Sequence, residues 1–135
     1  MSSLEDQNNK RALKLEVDPD FGMSNVKVYR DYSCQLNLTD VAYSVHGHNK
    51  FYSLQLLERA DGRKWFCFFK WGRVGAKKAT SNVFEFYNSL DARNYFEEKF
   101  YEKTYNRWED RALFETKPGK YTLVEIEGDA AEVAK

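Results

Sequence analysis

The sequence predicts an α+β domain, a curved antiparallel β-sheet with one long α-helix packed against it. Three observations carry that expectation. Short runs in which apolar and polar residues alternate, the period of a strand, recur on both sides of a single helical stretch. Asp61-Gly62 stands between two such runs and is a strong hairpin signal. Leu90 to Lys103 lacks Gly and Pro and repeats Ala92, Phe96 and Phe100 at helical spacing.

In chain order, Met1 to Lys10 are polar and charged and are expected to form a disordered tail. Residues 11–126 read as one domain, because 135 residues are enough to bury a single core. Leu13, Leu15 and Val17 alternate with Lys14 and Glu16 and predict a short strand. Asp18-Pro19-Asp20-Phe21-Gly22 ends it with turn chemistry. Val26 and Val28, followed by Tyr29 and Tyr32, suggest a second strand. Cys34, Leu36 and Leu38, alternating with Gln35 and Asn37, suggest a third. Val41 to Val45 is open between a strand edge and irregular chain, and His46-Gly47-His48-Asn49 reads as a loop. Phe51 to Glu58 is a strand with Tyr52, Leu54 and Leu56 on one face. Lys64 to Trp71 returns from the hairpin with apolar residues on both faces, which places it centrally in the sheet with one face covered.

Phe84 and Phe86, alternating with Val83 and Glu85, add a strand ahead of the helix. Ser89 is the expected N-cap. Asp91, Arg93, Glu97, Glu98 and Glu102 form the helix face expected to be solvated. Trp108 and Phe114 then flank a charged stretch, Pro118-Gly119 turns the chain, and Tyr121 to Ile126 is a last strand. Residues 127–135 are acidic and Ala-rich, a tail or the start of a linker, so the sequence reads as one part of a longer protein.

The 21 basic and 21 acidic residues balance. That argues against coating nucleic acid through bulk positive charge, but not against a local basic site. The N-terminus lacks a signal-peptide pattern and no apolar run approaches a membrane span. The protein therefore reads as intracellular and soluble, and the Asn37-Leu38-Thr39 acceptor pattern as chance. Cys34 and Cys67 lie in apolar alternating runs and are expected as buried free thiols.

Catalysis by this chain finds little support. His46 and His48 are the only histidines, and no Cys or His cluster supplies further metal ligands. There is no Gly-x-Ser-x-Gly elbow and no phosphate-cradling loop. Glu97 and Glu98 are adjacent on the helix and do not face each other. Neither a cofactor, a metal nor a small-molecule substrate is expected.

Binding is better supported. Trp65 to Gly75 begins as an aromatic run and ends in Trp71-Gly72-Arg73. In an extended chain Trp71 and Arg73 share a face, with the bare amide of Gly72 between them. Around them Arg63, Lys64, Lys70, Arg73, Lys77 and Lys78 form a basic run that contains no acidic residue. Such a patch positions a nucleic acid by its phosphates without reading sequence. On composition alone it is as readily a solubilising turn, and Trp71 as readily a core aromatic.

Trp71-Gly72-Arg73-Val74-Gly75 resembles the signature of the WGR domain of the DNA-dependent poly(ADP-ribose) polymerases. Asn49-Lys50-Phe51-Tyr52 and Leu54-Gln55-Leu56-Leu57-Glu58 stand at the family's spacing before it. Phe100, Glu102-Lys103-Thr104, Asn106, Trp108-Glu109-Asp110-Arg111 and Pro118-Gly119-Lys120-Tyr121 match after it. Lys10 to Lys14, Val17-Asp18-Pro19, Val28-Tyr29 and Tyr121-Thr122-Leu123 are most similar to the type-three branch. The resemblance implies a nuclear module of DNA repair that grips 5′-phosphorylated ends of broken DNA. It also implies relay to helical regulatory and ADP-ribosyltransferase domains of the same longer chain, activating them allosterically.

Carried over by position, the resemblance implies that Trp71 packs on the terminal ribose and that Arg73 contacts the end and the regulatory domain. It likewise implies that Asn49 and Tyr121 take the phosphate, with Lys50 and Lys120 as helpers; Gly72, Lys77 and Lys78 complete the expected DNA-binding set. A face built from Trp71 and Arg73 also suits a protein-interaction module docking a partner domain. Two departures from the family pattern stand out: Lys78-Ala79 replaces the usual Gly then Gln, and His46-Gly47-His48 replaces an Asn-rich stretch.

Overall fold

The computed structural model describes residues 15–40 and 48–124. The expected N-terminal tail, Leu13, the Val41 to Val45 piece, His46-Gly47, Ile126 and the acidic end all lie outside the described residues. Five strands follow in order: β1 (Val26–Asp40), β2 (His48–Arg59), β3 (Trp65–Arg73), β4 (Thr80–Phe86) and β5 (Thr122–Val124). Helix α1 (Ser89–Thr104) separates β4 from β5. The strands form one antiparallel sheet in the order β4-β3-β2-β1-β5, with α1 packed against it, an α+β fold. β5 pairs with β1 through Gln35↔Val124, Leu36↔Leu123 and Asn37↔Thr122.

Several local expectations are corrected. The chain around Leu15 and Val17 is irregular rather than a strand. Its backbone is held by the buried Gln55 side chain, whose Oε1 accepts from the Asp18 N–H at 2.9 Å. Gln55 Nε2 donates to the Glu16 carbonyl at 2.8 Å and to Ser33 Oγ at 3.1 Å. A side-chain amide thus satisfies groups that a neighbouring strand would otherwise pair. Asp18 then caps a 3-10 turn, Pro19–Phe21, and Gly22 closes it at φ +74°.

The two strands expected across Val26 to Leu38 are one. Val28, Tyr32, Cys34 and Leu36 are all buried, and Arg30 takes the irregularity inside the strand at φ +51°. His48 and Asn49, expected in a loop, begin β2. The N-cap of α1 is Asn88, not Ser89. Asn88 Oδ1 accepts the Asp91 N–H and Nδ2 donates to the Asp91 carboxylate, both at 2.8 Å, a reciprocal cap. Arg93, expected on the solvated face, is half-buried.

Packing falls into two compact units. The first takes the described chain through Ser33 with Leu54–Phe69 and Asn82–Phe96. Both faces of β3 are buried here, as its sequence predicts. Phe66 and Phe68 join Phe21, Val28 and Leu57 in one cluster. Phe69 meets Phe84 and Tyr95 at ring-centroid distances of 5.8 and 5.9 Å, and Phe96 meets Tyr32 edge-on at 5.2 Å. Cys67 Sγ donates to the Ala92 carbonyl of α1 at 3.4 Å. Burial pushes its thiol up to about 12, so it is inert packing rather than a nucleophile. Cys34 and Cys67 are both buried thiols outside any disulfide, as expected.

The second unit takes Cys34–Ser53, Lys70–Ser81 and the chain from Glu97 onward. Phe100 packs edge-on against Trp108 at 5.1 Å and Phe114 at 6.3 Å. Asn106 donates to the Glu115 carbonyl at 2.8 Å and accepts its N–H at 3.0 Å. That two-point clamp closes the loop after α1 and returns the chain to the helix end, where the Tyr121 N–H bonds the Lys103 carbonyl at 2.8 Å.

Candidate nucleic-acid interface

Every residue expected at the DNA site falls in the second unit. The hairpin sets its register: Arg59 N–H bonds the Lys64 carbonyl at 2.9 Å, and Val74 N–H bonds the Asn49 carbonyl at 2.8 Å. In an antiparallel pair those two bonds put Tyr52 opposite Trp71. The rings stack, with centroids 5.4 Å apart and planes 7° from parallel. Tyr52, only 5% exposed, meets Tyr121 edge-on at 5.9 Å and carries the Lys103 ammonium 4.8 Å over its ring. Trp71 and Tyr121, far apart in sequence, are thereby joined through one buried ring. Trp71 itself is half-buried, and Arg73, two residues on along the same face, is exposed.

The same register pairs the Gly72 backbone with Phe51 of β2, so its amide is not bare as the sequence suggested, and its role lies in packing. A Cβ there would lie 3.4 Å from the Phe51 ring and 3.6 Å from the Ala79 Cα. The missing side chain lets Phe51 and the chain entering β4 approach the strand. Gly72→Ala meets only ordinary contacts, so its stability cost in urea denaturation is expected to stay below about 1 kcal/mol. A larger loss would show that the close approach tolerates no added carbon.

The remaining donors are held by named contacts. Asn49 Oδ1 accepts from the Thr39 hydroxyl at 2.9 Å, a bond that uses the amide oxygen and not its NH2 donors. Gly119 at φ +74° and the Lys120 N–H to Lys117 carbonyl bond of 3.1 Å form the turn that Pro118-Gly119 predicts. Lys120 Nζ donates to the Glu102 carbonyl at 3.2 Å. Burial raises the Tyr121 pKa above its ordinary value, so its hydroxyl stays protonated and able to donate at neutral pH. Lys50, Lys77 and Lys78 are exposed.

The structure divides the basic run read from the sequence. Arg63 and Lys64 belong to the first unit, and Lys64 pairs with Glu85 at 3.0 Å. Lys103 is drawn in instead. A hydrogen bond from Lys99 holds the Glu102 carboxyl below its usual range, with Lys103 and Lys120 adding to the effect. Among the described residues no group of three or more His, Cys, Asp or Glu is placed to hold a metal. No helix among them is long and apolar enough to cross a membrane.

A family model described as the WGR domain matches residues 32–115. The chain belongs to the WGR domain family. Among similar proteins, the protein mono-ADP-ribosyltransferase PARP3 of Mus musculus is 42% identical over 119 residues, covering 86% of this chain and 21% of its own length. The Homo sapiens PARP3 is 41% identical over 119 residues, 85% of this chain and 21% of its own. The Homo sapiens poly(ADP-ribose) polymerase 2 is 38% identical over 96 residues, 71% of this chain and 16% of its own. The chain thus spans about a fifth or less of the length of these relatives.

The family match takes in Asn49, Tyr52, Trp71, Arg73 and Lys103 of this WGR domain but stops short of Lys120 and Tyr121. Folding brings those two beside the matched residues through the α1 end. Sequence reasoning missed Tyr52 and Lys103 as parts of the site. Tyr52 alternates with Leu54 and Leu56 and read as core, which its burial bears out. The signal that finds its second role is the hairpin register, counted back from Asp61-Gly62.

Proposed function

We propose that this WGR domain grips the ends of broken DNA, independent of sequence, through the terminal ribose and a 5′-phosphate. The observation that carries the reading is the Trp71–Tyr52–Tyr121 aromatic contact with exposed Arg73 at the end of the same strand. A buried ring fixes Trp71 as a flat apolar support for a sugar. Tyr121 and Asn49 offer neutral donors to phosphate oxygens, and Arg73 a planar charged fork. Lys50, Lys120, Lys77 and Lys78 supply sequence-independent attraction, with Gly72 letting Phe51 and Ala79 close on the strand that carries Trp71 and Arg73. A closed duplex lacks the free terminal face that such a support needs.

In this reading the domain is non-catalytic, holds no cofactor, and works in nuclear DNA repair as part of a longer ADP-ribosyltransferase. Arg73 also faces the regulatory domain to which end binding is relayed. Val74, 57% exposed beside it, gives that edge an apolar contact for a neighbouring domain. Fluorescence polarisation tests the reading. A nicked or blunt duplex with a 5′-phosphate is expected to bind more tightly than a covalently closed circle of the same sequence. Affinity should fall as salt rises. Equal binding of the two would remove the end-specific reading. Tight binding of a catalytic fragment in the absence of DNA would favour docking as the primary role.

A further inference from the structure

The C-terminal end of α1 carries two aromatic side chains that the fold does not bury. Tyr101 and Tyr105, one helical turn apart, are 51% and 53% exposed, with ring centroids 5.9 Å apart and planes tilted by 39°. Tyr105 N–H still bonds the Tyr101 carbonyl at 2.7 Å, but Tyr105 itself sits at φ +56°. The position just past a helix favours glycine or asparagine there, because a Cβ is disfavoured in the left-handed region. Asn106, the better suited residue, comes one place later and clamps Glu115. The fold therefore keeps a tyrosine in a backbone conformation that opposes it, and leaves the ring half in solvent.

Lys120 joins this ring to the site already described. Its ammonium lies 3.9 Å over the Tyr105 ring while bonding the Glu102 carbonyl, and its chain neighbour is Tyr121. The charges nearby are mixed. Glu102 sits 3.0 Å from Lys99 and 3.8 Å from Lys103, and Glu97 and Glu98 lie one turn before Tyr101.

We propose that Tyr101 and Tyr105, with Lys120, form a stacking shelf for an unpaired nucleobase that extends past the gripped DNA end. The proposal rests on the end-binding reading above. Exposed aromatic faces accept any base, and a lysine beside them holds the phosphate that links the base to the duplex. A shelf next to the phosphate-binding turn would let the domain distinguish overhanging ends from blunt ones.

The test measures binding to a blunt 5′-phosphorylated duplex and to the same duplex with a short 5′ or a short 3′ overhang. At least one overhang is expected to bind about tenfold more tightly than the blunt end. That gain should vanish in Tyr105→Gly and Tyr101→Ala, with blunt-end affinity unchanged. Tyr105→Gly relaxes the backbone, so its Tm should not fall below that of the unaltered domain. A gain confined to the 5′ arm puts the base on the gripped strand, and one confined to the 3′ arm puts it on the opposite strand; either supports the shelf. No gain in either arm, or a gain that survives Tyr105→Gly, overturns it. If the unaltered domain fails to prefer ends over closed circles, the end-binding reading falls instead, so the two failures are told apart.

Discussion

Phe96→Ala is expected to destabilise the protein by about 3–5 kcal/mol, a large share of the roughly 5–15 kcal/mol that holds a domain of this kind folded. Phe96 is fully buried in the middle of α1, edge-on to Tyr32 of β1 and within 6.5 Å of Phe69 of β3. Removing the ring leaves a cavity walled by other aromatic side chains, which cannot collapse without leaving their own contacts. The helix has little to fall back on. At 16 residues it is of marginal length for standing alone in water, so its stability comes from packing of the Ala92–Phe96–Phe100 stripe. Phe96→Leu keeps most of the volume and should cost about half as much or less. Urea denaturation followed by circular dichroism measures both. A loss under about 1 kcal/mol for the alanine variant would mean that this stripe does not hold α1 in place.

The stripe is also the clearest case of structure legible in sequence. Ala92, Phe96, Phe100 and Thr104 recur at a spacing that a helix puts on one face, with polar Asn94, Glu98 and Glu102 where a strand would repeat the apolar face, and all four of the stripe are buried. β2, the Asp61-Gly62 turn and β3 were readable for the same reason: local periodicity and local turn chemistry agree with the final fold. What was hidden depends on partners distant in sequence. Nothing near Leu15 says that Gln55 will hold its backbone, and nothing near Arg30 says that one strand will pass through a left-handed residue without ending. At the helix start, Asn88 and Ser89 are both good caps, and the choice falls to the one that reaches the Asp91 N–H. The site divides the same way. Trp71 and Arg73 are neighbours on one strand and their shared face follows from alternation. Tyr52, Lys103 and Tyr121 reach Trp71 only through strand register and the clamp of Asn106 on Glu115.

Trp71→Ala is expected to weaken binding to a 5′-phosphorylated end by about 10–100-fold, the range of one lost stacking contact. The domain should stay folded. Trp71 is half-buried and gives up mainly its stack on Tyr52, worth about 0.5–1.5 kcal/mol beyond the area it covers. Trp71→Phe keeps a flat face against Tyr52 and should recover most of the affinity. Arg73→Ala acts differently: it removes one charge from the same face and should lower the slope of log affinity against log salt by about one. The two substitutions share one face, so their effects in the double variant should depart from the sum. Salt titrations by fluorescence polarisation, paired with thermal melts of each variant, separate the contributions. A Trp71→Ala melt as damaged as that of Phe96→Ala would make Trp71 a core residue, because the binding loss would then follow from unfolding. A folded Trp71→Ala variant with full affinity would take the ribose contact away from Trp71 and leave Arg73 and the lysines to hold the end by charge alone.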